Sequence, residues 1–245
     1  MFAGPNGSGK STLKNVLRSA LLGVYLNADD MERELKLHSE LRLADYGITT
    51  TDFESHEFFK RSPFLADEGM TAAAESVTVE SGFLRIDRAL VNSYLASVVA
   101  DFFREHLLAS RSSFTLETVM SHPGKVELLK KAQQLGYRTY LYFIATEDPE
   151  INISRVNARV LRGGHSVPKD KIVKRYHASI GQLTEALRHT NRAYIFDNSG
   201  EETERSWIAE ITDGRELEMK TDKIPSWFKS SVWEAFSNGS TGSER

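Results

Sequence analysis

The chain has 245 residues, 40% of them hydrophobic, enough for one sizeable core with an insertion and too few for two large domains. Its 31 basic and 34 acidic side chains leave a formal charge of -3, which gives no electrostatic footprint for nucleic acid or an anionic membrane surface. There is no cysteine, which excludes disulfides, thiolate metal sites and cysteine nucleophiles, and makes the cytoplasm the expected compartment. Apolar runs such as residues 137–146 fall far short of the roughly 20 residues a spanning helix needs.

In chain order, residues 4–12 read GPNGSGKST and satisfy G-x-x-x-x-G-K-[ST] with Gly4, Gly9, Lys10 and Ser11. Glycines in such a loop let successive backbone N–H groups turn inward around phosphate oxygens. Lysine then reaches the β- and γ-phosphates, and the serine hydroxyl is a ligand for Mg²⁺. Gly4, Pro5, Asn6, Gly7, Ser8, Gly9, Lys10, Ser11 and Thr12 are therefore the candidate ATP-binding residues, with Ser11 as candidate metal ligand. An amphipathic helix is predicted to follow through Leu13, Val16, Leu17 and Leu21. Only Met1, Phe2 and Ala3 precede the loop, although its strand should have about five residues, so either a chain continuing upstream of Met1, the favoured reading, or a fold that tolerates a three-residue central strand is expected.

Residues 23–27 form a short apolar run ending in Ala28-Asp29-Asp30, and residues 31–37 have helical spacing, which predicts a second β-α unit. Asp29 thus lies at the C-terminal end of a strand, where ligands bind in open α/β sheets. With Glu32 three residues on, it also matches a helix-capping box, and the two readings stand side by side. Residues 43–111 lack the compact β-α rhythm and read as a mainly helical insertion that selects substrate. Within it lie a hairpin at residues 77–86 turning near Gly82 and a helix over residues 88–108.

Residues 113–117 predict a third strand ending in the acidic Glu117, and Pro123 opens a helix that Gly136 stops. Residues 137–145 are almost continuously apolar, as for a strand covered on both faces. On the next helix Arg155, Arg159 and Arg162 form one stripe before Gly163-Gly164, either a solvated face or a lid over a transferring phosphoryl group. His165 beside it is a lid contact, a cap or simply exposed. A helix over residues 168–187 and a fifth strand at residues 192–199 follow. Residues 194–197 (YIFD) mimic the metal-binding strand of motor-type ATPases, but they follow the arginines and no acid succeeds Asp197, so they read as the last sheet strand. A hairpin over residues 207–219 turning at Asp213-Gly214, a helix over residues 225–236 and a disordered tail at residues 237–245 complete the chain. Residues 1–236 are thus read as a single domain.

The succession GPNGSGKST, LNADD, SFTLETVMSHPGK, LYFIATEDPEINISRVNARVLRGGHSVP and YIFDNS resembles the P-loop kinases of the zeta-toxin type. That resemblance implies a three-layer α/β P-loop fold: a mostly parallel five-stranded sheet, helices on both faces and the insertion between strands 2 and 3. It also implies ATP with Mg²⁺ and phosphorylation of a small-molecule hydroxyl, such as that of UDP-N-acetylglucosamine. An antitoxin protein is the implied partner. Carried over by motif, Asp29 is the base that accepts the hydroxyl proton, Glu117 with Thr118 beside it holds the substrate, and Lys10, Arg159 and Arg162 stabilise phosphate charge. Val119 and Met120 depart from the more polar residues found there in the toxins. The competing reading is a partner-coupled ATPase or switch with no small-molecule acceptor, against which stand the missing N-K-x-D and L-S-G-G-Q signatures.

Overall fold

A computed structural model describes residues 1–15, 17–164, 166–200 and 205–239. Val16, His165 and residues 240–245 of the tail lie outside them. The strands in chain order are β1 (Phe2–Ala3), β2 (Val24–Leu26), β3 (Glu40–Arg42), β4 (Thr78–Glu80), β5 (Phe83–Arg85), β6 (Phe114–Thr118), β7 (Tyr140–Ala145), β8 (Arg192–Asp197), β9 (Ser206–Thr212) and β10 (Glu216–Met219). The longer helices are α1 (Ala28–His38), α2 (Asp52–Lys60), α3 (Ser93–Ala109), α4 (Gly124–Gln134), α5 (Pro149–Leu161), α6 (Lys169–Gly181) and α7 (Leu183–Arg188). The chain divides into two compact units, residues 1–18 with 117–245, and residues 19–116.

In the first unit a mostly parallel mixed sheet carries the core. β1 lies between β7 on one edge and Glu117 and Thr118 on the other, in parallel register, with Phe2 opposite both Tyr142 and Glu117. Met1 extends this stub, its carbonyl accepting from the Tyr142 N–H at 2.9 Å. A strand so short holds because Phe2 and Ala3 are buried at 1% and 0% exposure and ladders form on both sides. β8 continues parallel to β7, whereas β9 and β10 add antiparallel. The hairpin at residues 207–219 is therefore an extension of the sheet, two strands more than the five expected. Its turn forms as predicted, with Asp213 and Gly214 at φ 49° and 65°, the paired left-handed geometry that matches strand twist. One sheet face, through Leu141, Phe143, Ala193, Ile195, Ala209 and Ile211, packs on α4, α7 and the C-terminal segment. On the opposite face Tyr142 stacks on Tyr194 at 4.8 Å, and burial pushes the Tyr142 hydroxyl up to about 12. Tyr140 on that face stays 38% exposed, so β7 is not covered on both sides along its whole length.

Three helical expectations change. The segment after the loop forms a 3₁₀ turn over Lys10–Asn15 rather than a long α-helix, and Leu21 is 72% exposed. The buried leucines are Leu13 and Leu22, nine residues apart and therefore half a turn out of phase on a single helix. The helix expected over residues 168–187 is split at Gln182 into α6 and α7. At the C-terminus a π-helical stretch, Lys229–Trp233, interrupts the expected helix, which continues to Gly239. Three residues of the expected disordered tail are thereby helical.

In the second unit β2 runs parallel to Phe114–Leu116, and the predicted 77–86 hairpin forms as β4 and β5, with β3 added antiparallel to β5. Gly23 is required at the entry to β2: its φ is 58°, and a Cβ there would stand 2.3 Å from the Ser113 carbonyl oxygen. The core gathers on α3, whose apolar stripe through Leu95, Val99, Phe102 and Phe103 is buried. Phe59 of α2 meets Phe102 at 5.3 Å. Among the described residues no helix is long and apolar enough to cross a membrane.

Candidate active site

The Gly4–Thr12 loop leaves the end of β1 with Gly4, Gly7 and Gly9 at φ 140°, 76° and 94°, values that L side chains rarely adopt. Space is as restrictive as torsion. A Cβ at Gly4 would stand 2.0 Å from the Ile144 carbonyl oxygen, at Gly7 2.6 Å from the Asn152 carbonyl oxygen, and at Gly9 2.5 Å from Asn198 Nδ2. Lys10, 8% exposed, folds back over the loop, and its Nζ donates to the carbonyl oxygens of Gly4 and Pro5 at 2.8 Å each. Thr12 Oγ1 donates to the Gly9 carbonyl at 2.6 Å.

The Ser11 hydroxyl donates to Glu117 Oε1 at 2.8 Å. Glu117, the penultimate residue of β6, thus stands beside the loop's candidate metal ligand, and the two offer hard oxygen donors of the kind Mg²⁺ takes. Thr118 Oγ1 instead accepts from the Met120 N–H at 3.2 Å, a bond that supports the left-handed φ of 55° at Met120. Met120 is fully buried in the core, and the Val119 carbonyl accepts from Ser179 of α6. The apolar pair that departs from the toxin pattern is in part a packing feature.

Helix α5 starts at the cap Asp148, with Pro149 at its first position, and its first turns press on the loop. Buried Asn152 donates through Nδ2 to the Asn6 carbonyl at 2.6 Å. Arg155, one of the three striped arginines, is spent on structure: its guanidinium donates to the carbonyls of Asn198 and Gly200 at 2.7 Å each. Arg159 and Arg162 lie further along the axis, about 10 and 15 Å beyond Asn152 at the helical rise. Gly163, at φ 85°, ends the helix, and Gly164 sits where a Cβ would come 2.6 Å from Arg159 Cγ. The glycine pair therefore both terminates α5 and makes room for the Arg159 stem, while Arg162 is an exposed C-cap.

Helix α6 is anchored by Tyr176, whose hydroxyl donates to the Thr146 carbonyl at 2.6 Å. Burial raises its pKa, with Glu147, Asp148 and Asp197 adding to the rise. The neighbouring Arg175 brings Nη1 to 3.5 Å from Asn6 Oδ1, an arginine at the loop that the sequence stripe did not contain. Asp197 is committed elsewhere: it accepts from the Ser199 N–H and hydroxyl at 2.9 Å and from Trp227 Nε1 at 2.8 Å. Those bonds account for the YIFD strand as a structural element.

Asp29 belongs to the second unit. The cap of α1 is Asn27, whose Oδ1 accepts from the Asp29 N–H at 2.9 Å, so the expected Asp29–Glu32 capping box does not form. The helix begins at Ala28, earlier than the apolar spacing suggested, which puts Asp29 inside its first turn. Glu32 is buried and pairs with Lys36, and the Asp29 side chain is exposed. Sequence reasoning missed Asn152, Asn198 and Arg175, because a lone asparagine or arginine far from the motif carries no local signal.

The zeta toxin family model matches residues 89–203, a span that contains Glu117, Asn152, Arg159, Arg162, Arg175 and Asn198. An uncharacterized protein of Haemophilus influenzae is 33% identical over 175 residues, covering 71% of this chain and 89% of its own length. Two crystal structures of the AvrRxo1-ORF1:AvrRxo1-ORF2 complex share the fold. The one with sulphate ions has a TM-score of 0.56 at 16% identity and covers 90% of this chain; the one with ATP has 0.51 at 16% and covers 96%. The chain spans 60% and 62% of the length of those two structures. The mixed α/β sheet, the motif succession and these matches agree: the chain belongs to the zeta toxin family.

Proposed function

We propose that the protein is an ATP-dependent kinase that transfers the γ-phosphate to a small-molecule hydroxyl, with a UDP-sugar such as UDP-N-acetylglucosamine as the first acceptor to test. The single observation that carries this reading is the loop itself. Three glycines in left-handed geometry are pressed so closely by neighbouring backbone and side chains that no other residue fits, and a lysine lies folded against two loop carbonyls. Such a cradle suits a polyphosphate, whose oxygens compete for the lysine. The similar fold of a complex crystallised with ATP supports the choice of nucleotide.

In this reading Lys10 leaves the Gly4 and Pro5 carbonyls to meet the β- and γ-phosphates. Ser11 and Glu117 are the residues that would hold Mg²⁺, which when bound neutralises phosphate charge. Arg159 and Arg162 supply further positive charge, joined by Arg175 on the strength of its contact with Asn6. Asp29, released from capping by Asn27, accepts the proton of the attacking hydroxyl. Glu117 and Thr118 stay on the acceptor side as family position implies; the Thr118 hydroxyl, which accepts from the Met120 N–H, keeps its own O–H to donate. Residues 43–111 select the acceptor. A partner protein is part of the proposal, by analogy with ORF2, which is in complex with ORF1 in the AvrRxo1 structures. Asp29→Ala is expected to lower transfer by about 10²–10⁴-fold, the usual worth of a general base, and to leave ATP binding intact. Transfer at the wild-type rate in that variant removes Asp29 from the mechanism.

A further inference from the structure

We propose that Asn152 and Asn198 are positioning residues that aim the amides of the Gly4–Thr12 loop at polyphosphate. The inference rests on the nucleotide reading of the loop and adds the parts that hold the loop in its binding shape. In a backbone nest the N–H groups converge on the anion, so the intervening carbonyls must point outward. Where that outer side is buried, each carbonyl needs a donor.

Two carbonyls near the middle of this loop, those of Asn6 and Ser8, receive one each. Asn152 Nδ2 donates to the Asn6 carbonyl at 2.6 Å and Asn198 Nδ2 to the Ser8 carbonyl at 2.9 Å, from 146 and 190 positions away in the sequence. Both asparagines are essentially inaccessible, at 0% and 1% exposure. Each is itself fixed. Thr146 Oγ1 donates to Asn152 Oδ1, which leaves Nδ2 as the end that faces the loop. Arg155 of α5 grips the Asn198 carbonyl at 2.7 Å. Asn198 Oδ1 is buried with no hydrogen-bond partner among the described residues, a cost that identifies a side chain kept for its donor end.

The glycines fit the same arrangement. Gly7 presses on the Asn152 backbone and Gly9 on Asn198 Nδ2, so both contacts require a residue without a side chain. Lys10 makes the instructive contrast. Its bonds to Gly4 and Pro5 lie where a phosphate competes for them, whereas the asparagine amides stand behind the loop and remain in place when a ligand arrives. Asn152 has a second effect, because it ties α5, and with it Arg159 and Arg162, to the loop they are to serve.

The test uses Asn152→Asp and Asn198→Asp, which keep size and place an acceptor against a carbonyl, with Asn152→Ala and Asn198→Ala as a second pair. Binding of Mg-ATP and of inorganic tripolyphosphate is measured by calorimetry, beside melting of the ligand-free protein and the steady-state constants for ATP. Each Asp variant is expected to raise both dissociation constants at least about tenfold and by similar factors. KM for ATP should rise far more than kcat falls, and the ligand-free protein should still melt cooperatively. Dissociation constants within about twofold of wild type in folded variants would overturn the proposal, as would loss of cooperative melting in all four, which would make the amides merely structural. A wild-type protein that binds neither ATP nor tripolyphosphate overturns the nucleotide reading itself. Wild-type binding with unaltered variants overturns only the clamp.

Discussion

Around the Gly4–Thr12 loop the fixing contacts are polar and come from far along the chain, Asn152 to Asn6, Asn198 to Ser8 and Ser11 to Glu117. Between Leu43 and Arg111 the fixing contacts are of another kind. Phe58, Phe59, Phe102 and Phe103 pack ring against ring, and the helix starts are closed locally, as where Thr51 and Glu54 form a reciprocal capping box. Hydrogen bonds fix direction as well as distance, whereas apolar packing fixes volume and tolerates small rotations. A surface that must aim amides at a phosphate needs the first kind. A region that presents a shape to an acceptor can be built from the second and can diverge without loss of the fold.

Four substitutions test that contrast, in falling order of effect. Lys10→Met should reduce phosphate transfer on the order of a thousandfold while the ligand-free protein melts like wild type. A large drop in melting temperature would make the lysine a structural pin and erase the contrast. Phe59→Ala should cost about 3–5 kcal/mol of folding stability, because the ring is fully buried between Phe58 and Phe102. Denaturant unfolding reads that loss, and the ATP dissociation constant of the folded fraction should not move. Gly9→Ala should strain the loop by about 1–3 kcal/mol, read mainly as weaker ATP binding, since its Cβ meets Asn198 Nδ2 at 2.5 Å. Thr51→Ala should cost about 1 kcal/mol through loss of the cap on α2, visible in melting and absent from nucleotide affinity.

Much of the first unit was legible because its signals are local. The glycine spacing marked the loop, the Gly163-Gly164 pair marked the end of α5, and Asp213-Gly214 marked the β9–β10 turn. Sheet extension was not legible, since the apolar alternation of β9 suits a free hairpin as well as an edge pairing with β8. The helix after the loop failed for a different reason: Leu13, Leu17 and Leu21 carry helical spacing, but Leu21 is exposed and Leu22 is buried in its place. Within the candidate site the motif residues were readable and their supports were not. Asn152 and Asn198 act through contacts that only folding creates, and the spacing that set Arg155 in one stripe with Arg159 and Arg162 could not reveal that two backbone carbonyls hold it. Asp29 shows the converse, because the capping pattern was present in sequence and Asn27, two residues earlier, took the role.

The most direct test of the central claim is transfer of labelled γ-phosphate from Mg-ATP to a panel of UDP-sugars, sugars and nucleosides, with Asp29→Ala and Lys10→Met run beside wild type. The account predicts a phosphorylated small molecule in the wild-type reaction and transfer lower by about a hundredfold or more in either variant. Release of inorganic phosphate with no labelled acceptor, stimulated by a protein partner, would contradict it and favour a partner-coupled ATPase.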